Sequence, residues 1–115
     1  MDVYSELVES LENCDAVCSD CAVSSLDEED NKAMSDCIKL SLDCADVCHL
    51  ALRLLARDSS YVVSAVKLCM SMCDECATEY ERHEHDQNRL CYQACRQCET
   101  HCRNYLEQAA EPESI

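Results

Sequence analysis

The sequence predicts an all-α fold, an antiparallel up-down-up-down four-helix bundle with a cysteine-lined core. Three observations predict it. The 115 residues contain no Gly and a single Pro, Pro112, and these two residue types are the ones that punctuate turns. Good helix formers (Ala, Leu, Glu, Arg and Gln) are plentiful. Apolar residues and cysteines recur at spacings of three and four along four segments with three short breaks between them, and short connections make neighbouring helices antiparallel. The length suits one domain, 1–115, with 111–115 as a frayed tail.

The first helix is expected over about Asp2 to Val23, with an inner series of Tyr4, Leu7, Leu11, Cys14, Cys18 and Cys21. Ser24-Ser25 reads as the break after it. Ser25-Leu26-Asp27-Glu28 then fits a capping box, followed by acidic Glu29 and Asp30. The second helix runs to about Ala56, its inner face holding Met34, Cys37, Ser41, Cys44, Cys48, Ala51 and Leu55. Asp58-Ser59-Ser60 is the next break, with a Ser as the N-cap of the third helix. That helix runs from about Tyr61 to Glu81 and turns Val62, Val66, Cys69, Cys73, Cys76 and Tyr80 inward. The polar run Arg82-His83-Glu84-His85-Asp86 is the third turn, with Asp86 as a cap. The fourth helix ends near Ala110 and carries Cys91, Cys95, Cys98, Cys102, Tyr105 and Ala109 on one stripe.

The 13 cysteines are the chemical signal. C-x-x-x-C occurs at Cys14/Cys18, Cys44/Cys48, Cys69/Cys73, Cys91/Cys95 and Cys98/Cys102, and C-x-x-C at Cys18/Cys21, Cys73/Cys76 and Cys95/Cys98. Residues three and four apart share a helix face, and the fourth helix's thiols fall within a stripe about 60° wide. Cys37 joins the inner face of the second helix. One buried cysteine is a small hydrophobe; 13 on converging stripes, where Leu, Ile or Val would pack better, are not explained that way. Disulfides suit neither the odd count nor parallel side chains one turn apart, although bridges between helices remain open on oxidation. No iron–sulfur run is present, and a continuous bundle offers no loop to wrap a cluster. Metal ligation remains.

Charge bounds the partners and the metal. A net charge of −15 argues against nucleic acid and anionic membranes as partners. The N-terminus has no basic region and no long apolar run, so no signal peptide or membrane span is expected. The expected location is cytoplasmic, where thiols stay reduced, unless the chain is a mature exported form with a new Met. Inside the bundle, Zn(II) in four thiolates leaves surplus negative charge in a low-dielectric core, and a row of such sites is costly. Cu(I) replaces one thiol proton with one positive charge and leaves the core neutral, and soft thiolates prefer it. A C-x-x-x-C pair supplies two sulfurs to a two-coordinate Cu(I). Storage of multiple Cu(I) ions is therefore the leading expectation, with detoxification or sensing of other soft metals (Zn, Cd, Hg) as the alternative. Catalysis is not expected: no cysteine stands out as a low-pKa nucleophile, Cys91 near Arg89 being the nearest candidate.

These residues resemble the bacterial copper storage proteins, a family of cysteine-filled four-helix bundles, over nearly the whole chain. The resemblance rests on the C-x-x-x-C pairs, on His83-Glu84-His85 before the fourth helix, and on Asp43-Cys44-Ala45-Asp46-Val47-Cys48. It implies many Cu(I) ions held by thiolates, mainly between C-x-x-x-C pairs, with uptake through one end bearing His or Met. It also implies a homo-oligomer, a tetramer of bundles, and exchange with copper donors or acceptors. Two positions depart from the richest pattern: Tyr80 falls where a further cysteine of the third helix would lie, and Ser41 stands between Cys37 and Cys44. Both imply a smaller capacity, and Tyr80 closes part of the core.

Antiparallel topology puts the first and third turns at one end. Counted from there by helix rise, Cys21, Cys76 and Cys91 lie within about 10 Å, and Met34 at a similar depth. Met34, His83 and His85 are thus candidate uptake residues. Leu7, Leu55, Val62, Tyr105 and Leu106 are expected to plug the other end. His49 and His101 fall off the inner stripe and read as surface or interface residues, and Met70 and Met72 as packing.

Overall fold

Asp2 caps the chain's first helix. Its carboxylate accepts a 2.7 Å hydrogen bond from the Ser5 amide, three residues on, and this bond holds the Asp2 pKa below the usual carboxylate range. In the computed structural model, which describes residues 2–25, 31–82 and 86–110, with side chains for 2–23, 35–82 and 89–109, four helices follow. They are α1 (Val3–Ser25), α2 (Asn31–Ala56), α3 (Val62–Glu81) and α4 (Asp86–Ala110). Each packs on its sequence neighbour, and α4 closes against α1, so the chain runs up and down around a square. The molecule measures 58 × 22 × 21 Å and is two helices wide, with helices of 20 to 26 residues, about 30–39 Å long.

Two of the expected boundaries are corrected. Ser24 and Ser25 continue α1 rather than ending it, because Ser costs a helix only a fraction of a kcal/mol, on the order of 0.5, and does not stop one alone. Of the expected capping box Ser25-Leu26-Asp27-Glu28, Ser25 is the last residue of α1 and the other three lie outside the described residues. The α2–α3 turn does not use a Ser N-cap. Tyr61 precedes α3 without a side-chain cap, and the Ser59 hydroxyl accepts from the Tyr61 amide at 3.1 Å instead. The turn is built from the end of α2. Asp58 takes a left-handed φ of 51°, its amide donates to the Leu55 carbonyl at 3.2 Å, and the Ser59 amide donates to the Leu54 carbonyl at 3.0 Å. This is a Schellman ending with Asp in the position that Gly usually takes.

The interior divides along its length. The end where α2 hands over to α3 is aliphatic: Leu7, Leu11, Ala51, Leu55, Val62 and Val66 are buried there, with Tyr105 and Leu106 packed against them. This is the plug expected from the sequence. Two residues expected on inner stripes are not inside: Tyr4 is half exposed and Ala109 is exposed. Both lie within a turn of a chain-terminal helix end, where no facing helix remains to cover them. Toward the other end the core is sulfur. On the surface, the Arg96 guanidinium ties α3 to α4, reaching Asp74 at 2.8 Å, Glu99 at 3.0 Å and Glu81 at 3.7 Å, and it lies 5.4 Å from the centre of the Tyr92 ring.

Candidate metal centre

All 13 cysteines are free thiols, and none exposes more than 1% of its surface. Helical spacing delivers them to the axis. On α1, Cys14 and Cys18 lie one turn apart with sulfurs 3.8 Å from each other. Cys14 also reaches Cys44 of α2 at 3.8 Å and Cys95 of α4 at 4.0 Å. Cys18 meets Cys95 at 3.8 Å, Cys44 meets Cys73 of α3 at 3.8 Å, and Cys48 meets Cys69 at 3.6 Å. These are thiol–thiol contacts; a disulfide would bring the sulfurs to about 2.05 Å.

The sulfurs assemble into three groups of four, within each of which all lie no more than 4.8 Å apart: Cys14, Cys18, Cys44 and Cys95; Cys14, Cys44, Cys48 and Cys73; and Cys48, Cys69, Cys73 and Cys98. A metal–sulfur bond of about 2.3 Å puts two sulfurs on one ion at most about 4.6 Å apart, so the groups are near ligating size without rearrangement. Adjacent groups overlap by two residues, and the three form one continuous stack. Small neighbours allow the close approach. Ala45 follows Cys44, Ala77 follows Cys76 and Ala94 precedes Cys95, and each is buried. The sequence reading passed over these alanines, although their position beside cysteines was visible.

Thiol hydrogen bonds polarise the stack. S–H donation holds the Cys44 thiol well below its ordinary range, chiefly from Cys14, with Cys18, Cys48 and Cys73 adding to it. Cys14 is lowered first by Cys18, and Cys69 first by Cys102. The donors resist ionisation in turn: Cys95 is raised first by Cys14, and Cys98 first by Cys102. A thiolate formed in the stack is thus stabilised by its protonated neighbours and discourages a second one beside it.

Of the five remaining thiols, Cys102 continues the stack beside Cys69 and Cys98, and Cys21, Cys37, Cys76 and Cys91 sit toward the end where α3 gives way to α4. Cys76 donates to the Leu40 carbonyl at 3.1 Å, and Cys91 points to the Val17 carbonyl at 3.7 Å. Burial, with the Glu79 carboxylate second, pushes the Cys37 thiol up to about 11. Ser41 and Tyr80, the two interruptions in the cysteine pattern, hydrogen-bond to each other in the core. Met34 falls in the first turn of α2, its side chain outside the described residues, as are His83 and His85. His49 is exposed 3.6 Å from Asp15, and His101 is partly buried 3.7 Å from Glu6. Met70 and Met72 pack at the core's edge.

A family profile described as "Csp: Copper storage protein" matches residues 1–107. The chain belongs to the copper storage protein family. The Cu(I)-bound copper storage protein BsCsp3 superposes with a TM-score of 0.84 at 32% identity, covering 90% of this chain and 97% of that one. A cytosolic copper storage protein from Streptomyces lividans, described with five coppers, gives a TM-score of 0.86 at 31% identity over 91% and 92% of the two chains. The Bacillus subtilis cysteine-rich protein YhjQ, described as uncharacterized, is 35% identical over 105 residues, 90% of this chain and 97% of its own.

Proposed function

We propose that the chain stores Cu(I), several ions at a time, as thiolate-bridged clusters within the bundle, and that it performs no catalysis. The observation that carries this reading is the sharing of sulfurs: Cys14, Cys44, Cys48 and Cys73 each serve two of the three four-sulfur groups. Isolated tetrahedral sites for a divalent ion each need four thiolates of their own and leave negative charge in a dry core. Bridging thiolates with a soft monovalent ion share sulfurs and exchange one charge for one proton. The Cu(I)-bound and copper-loaded relatives support the same choice of metal.

In this reading all 13 cysteines are ligands and the whole of 1–115 acts as one unit. Copper enters at the end where α1 finishes and α4 begins, with Met34, His83 and His85 as the uptake residues. The aliphatic closure of the opposite end supports that direction. The setting is the cytoplasm, where the Streptomyces lividans relative is described, with copper donors and acceptors as partners. The bundle works as a homo-oligomer, a tetramer; the exposed Leu42 and Leu50 of α2 offer apolar surface to a second copy.

The test is anaerobic titration of the reduced protein with Cu(I) in the presence of a competing chelator, repeated with Zn(II). Uptake on the order of one Cu(I) per thiol is expected, with fewer Zn(II). A plateau at about one to three Cu(I) per chain, below what a shared-sulfur stack provides, would overturn the storage reading.

A further inference from the structure

The two residues that interrupt the cysteine pattern, Ser41 of α2 and Tyr80 of α3, meet across the core. Both are buried, and their hydroxyls are hydrogen-bonded to each other. The Ser41 hydroxyl already donates its proton to the Cys37 carbonyl at 2.7 Å, so Tyr80 is the donor in the pair. Tyr80 is the next-to-last residue of α3, whereas Ser41 lies well inside α2. Helical side chains lean toward the N-terminus of their own helix, and for α3 that direction is down the bundle. The ring therefore runs inward from the thiol-lined end and is pinned by its tip to the opposing helix.

Sulfur chemistry differs on the two sides of this ring. Below it, the sulfurs touch one another and form the three overlapping groups. Around it lie Cys21, Cys37 and Cys91, buried but in none of those groups: Cys91 has Cys21 and Tyr80 within hydrogen-bonding reach and also faces the Val17 carbonyl, and the Cys37 carbonyl accepts from Ser41. Cys76, at the level of Ser41, is turned to the Leu40 carbonyl. A bulky ring stands where a further sulfur would make the stack continuous.

We propose that the Tyr80–Ser41 pair is an internal latch that divides the store into two compartments: an outer set of thiols, Cys21, Cys37 and Cys91, which are not drawn into a tight group and exchange Cu(I) readily, and the deep stack, which exchanges only when the ring swings away. The inference rests on the Cu(I)-storage reading. Tyr80 is not a ligand in it. The residue sets the order and rate at which sulfurs become accessible, each ion displacing one thiol proton on arrival and each sulfur regaining one on release.

The test loads the full-length protein anaerobically with Cu(I), measures the total bound, and then adds excess bathocuproine disulfonate to follow Cu(I) removal over time. Two phases are expected, a fast minor one and a slow major one. Cys21→Ser with Cys91→Ser removes the fast phase and leaves the slow rate in place. Tyr80→Phe keeps the ring and the total but frees its tip, so the slow phase accelerates by about fivefold to tenfold, the effect of losing one buried hydrogen bond. Ser41→Cys with Tyr80→Cys merges the two phases and raises the total, and this variant stays informative if the phenylalanine variant folds poorly. A single phase in the unsubstituted protein, or a slow rate that neither Tyr80 variant changes, overturns the latch. The total separates this failure from the broader one: high copper with a single phase rejects only the latch, whereas a total of about one to three ions rejects storage itself.

Discussion

Cys73 and Cys69 lie one turn apart on α3 and are equally buried, yet the sulfur of Cys73 belongs to two four-sulfur groups and that of Cys69 to one. Replacing either by Ser puts a hydroxyl in a thiol environment at a cost to stability of about 1–3 kcal/mol if it finds no partner. Folding therefore does not separate the two variants, but copper does. Cys73→Ser is expected to lose more bound Cu(I) than Cys69→Ser, read by metal analysis of the loaded, isolated proteins. Equal losses would mean that each sulfur acts alone. Tyr80 shows the limit of reading single residues. The sequence marked it and Ser41 as separate departures, each on the inner face of its own helix. That they bond to each other depends on the axial offset between α2 and α3 and on the reach of a tyrosine, and neither is written in a spacing of three or four.

Among the elements, spacing carried most of the information. Four cysteines of α4 at intervals of four, three and four can face only one way on a helix, and all four are buried. Spacing said less at the ends. Tyr4 and Ala109 continue their stripes correctly in angle, but the neighbouring helices no longer cover them. The α2–α3 turn was located but its device was not, because a left-handed Asp58 in a Schellman ending has no signature as clear as Gly. Direction of loading is a property of elements too. His83 and His85 fall between α3 and α4, whereas Cys44 and Cys48 lie about 20–25 Å along α2 from its start. His83→Ala with His85→Ala is expected to slow initial Cu(I) uptake and leave the final amount nearly unchanged. Cys44→Ser with Cys48→Ser should lower the final amount and leave the first uptake intact. Stopped-flow loading followed by metal analysis measures both. A swapped pattern would place the point of uptake elsewhere.

For the molecule as a whole, the aliphatic end and the neutral thiols make a core that needs no metal to hold it. Thiols pack as small hydrophobes, and the Asp2 cap and the Schellman ending of α2 use no cysteine sulfur. The reduced apo protein is therefore expected to give a helical circular dichroism spectrum at neutral pH; a coil spectrum would point instead to metal-driven folding. Alkali should undo it. Burial and then the Glu79 carboxylate disfavour the Cys37 thiolate and push this thiol up to about 11 from its ordinary 9.0. A raised folded pKa means that the unfolded chain releases the proton first. Stability from this group is thus full below about pH 9 and is lost as pH climbs through about 11, which thermal melts of the anaerobic apo protein will follow. The aliphatic closure of one end has a consequence in time. With uptake at the other end, as proposed, the sulfurs nearest this closure are the farthest from the mouth. A store filled from one side in this way would keep a chronology: the atom deposited earliest would lie deepest and be the last withdrawn. Filled with a light copper isotope and topped up with a heavy one, the protein should surrender the heavy isotope first, so that its contents are a record of the order in which the cell met its copper.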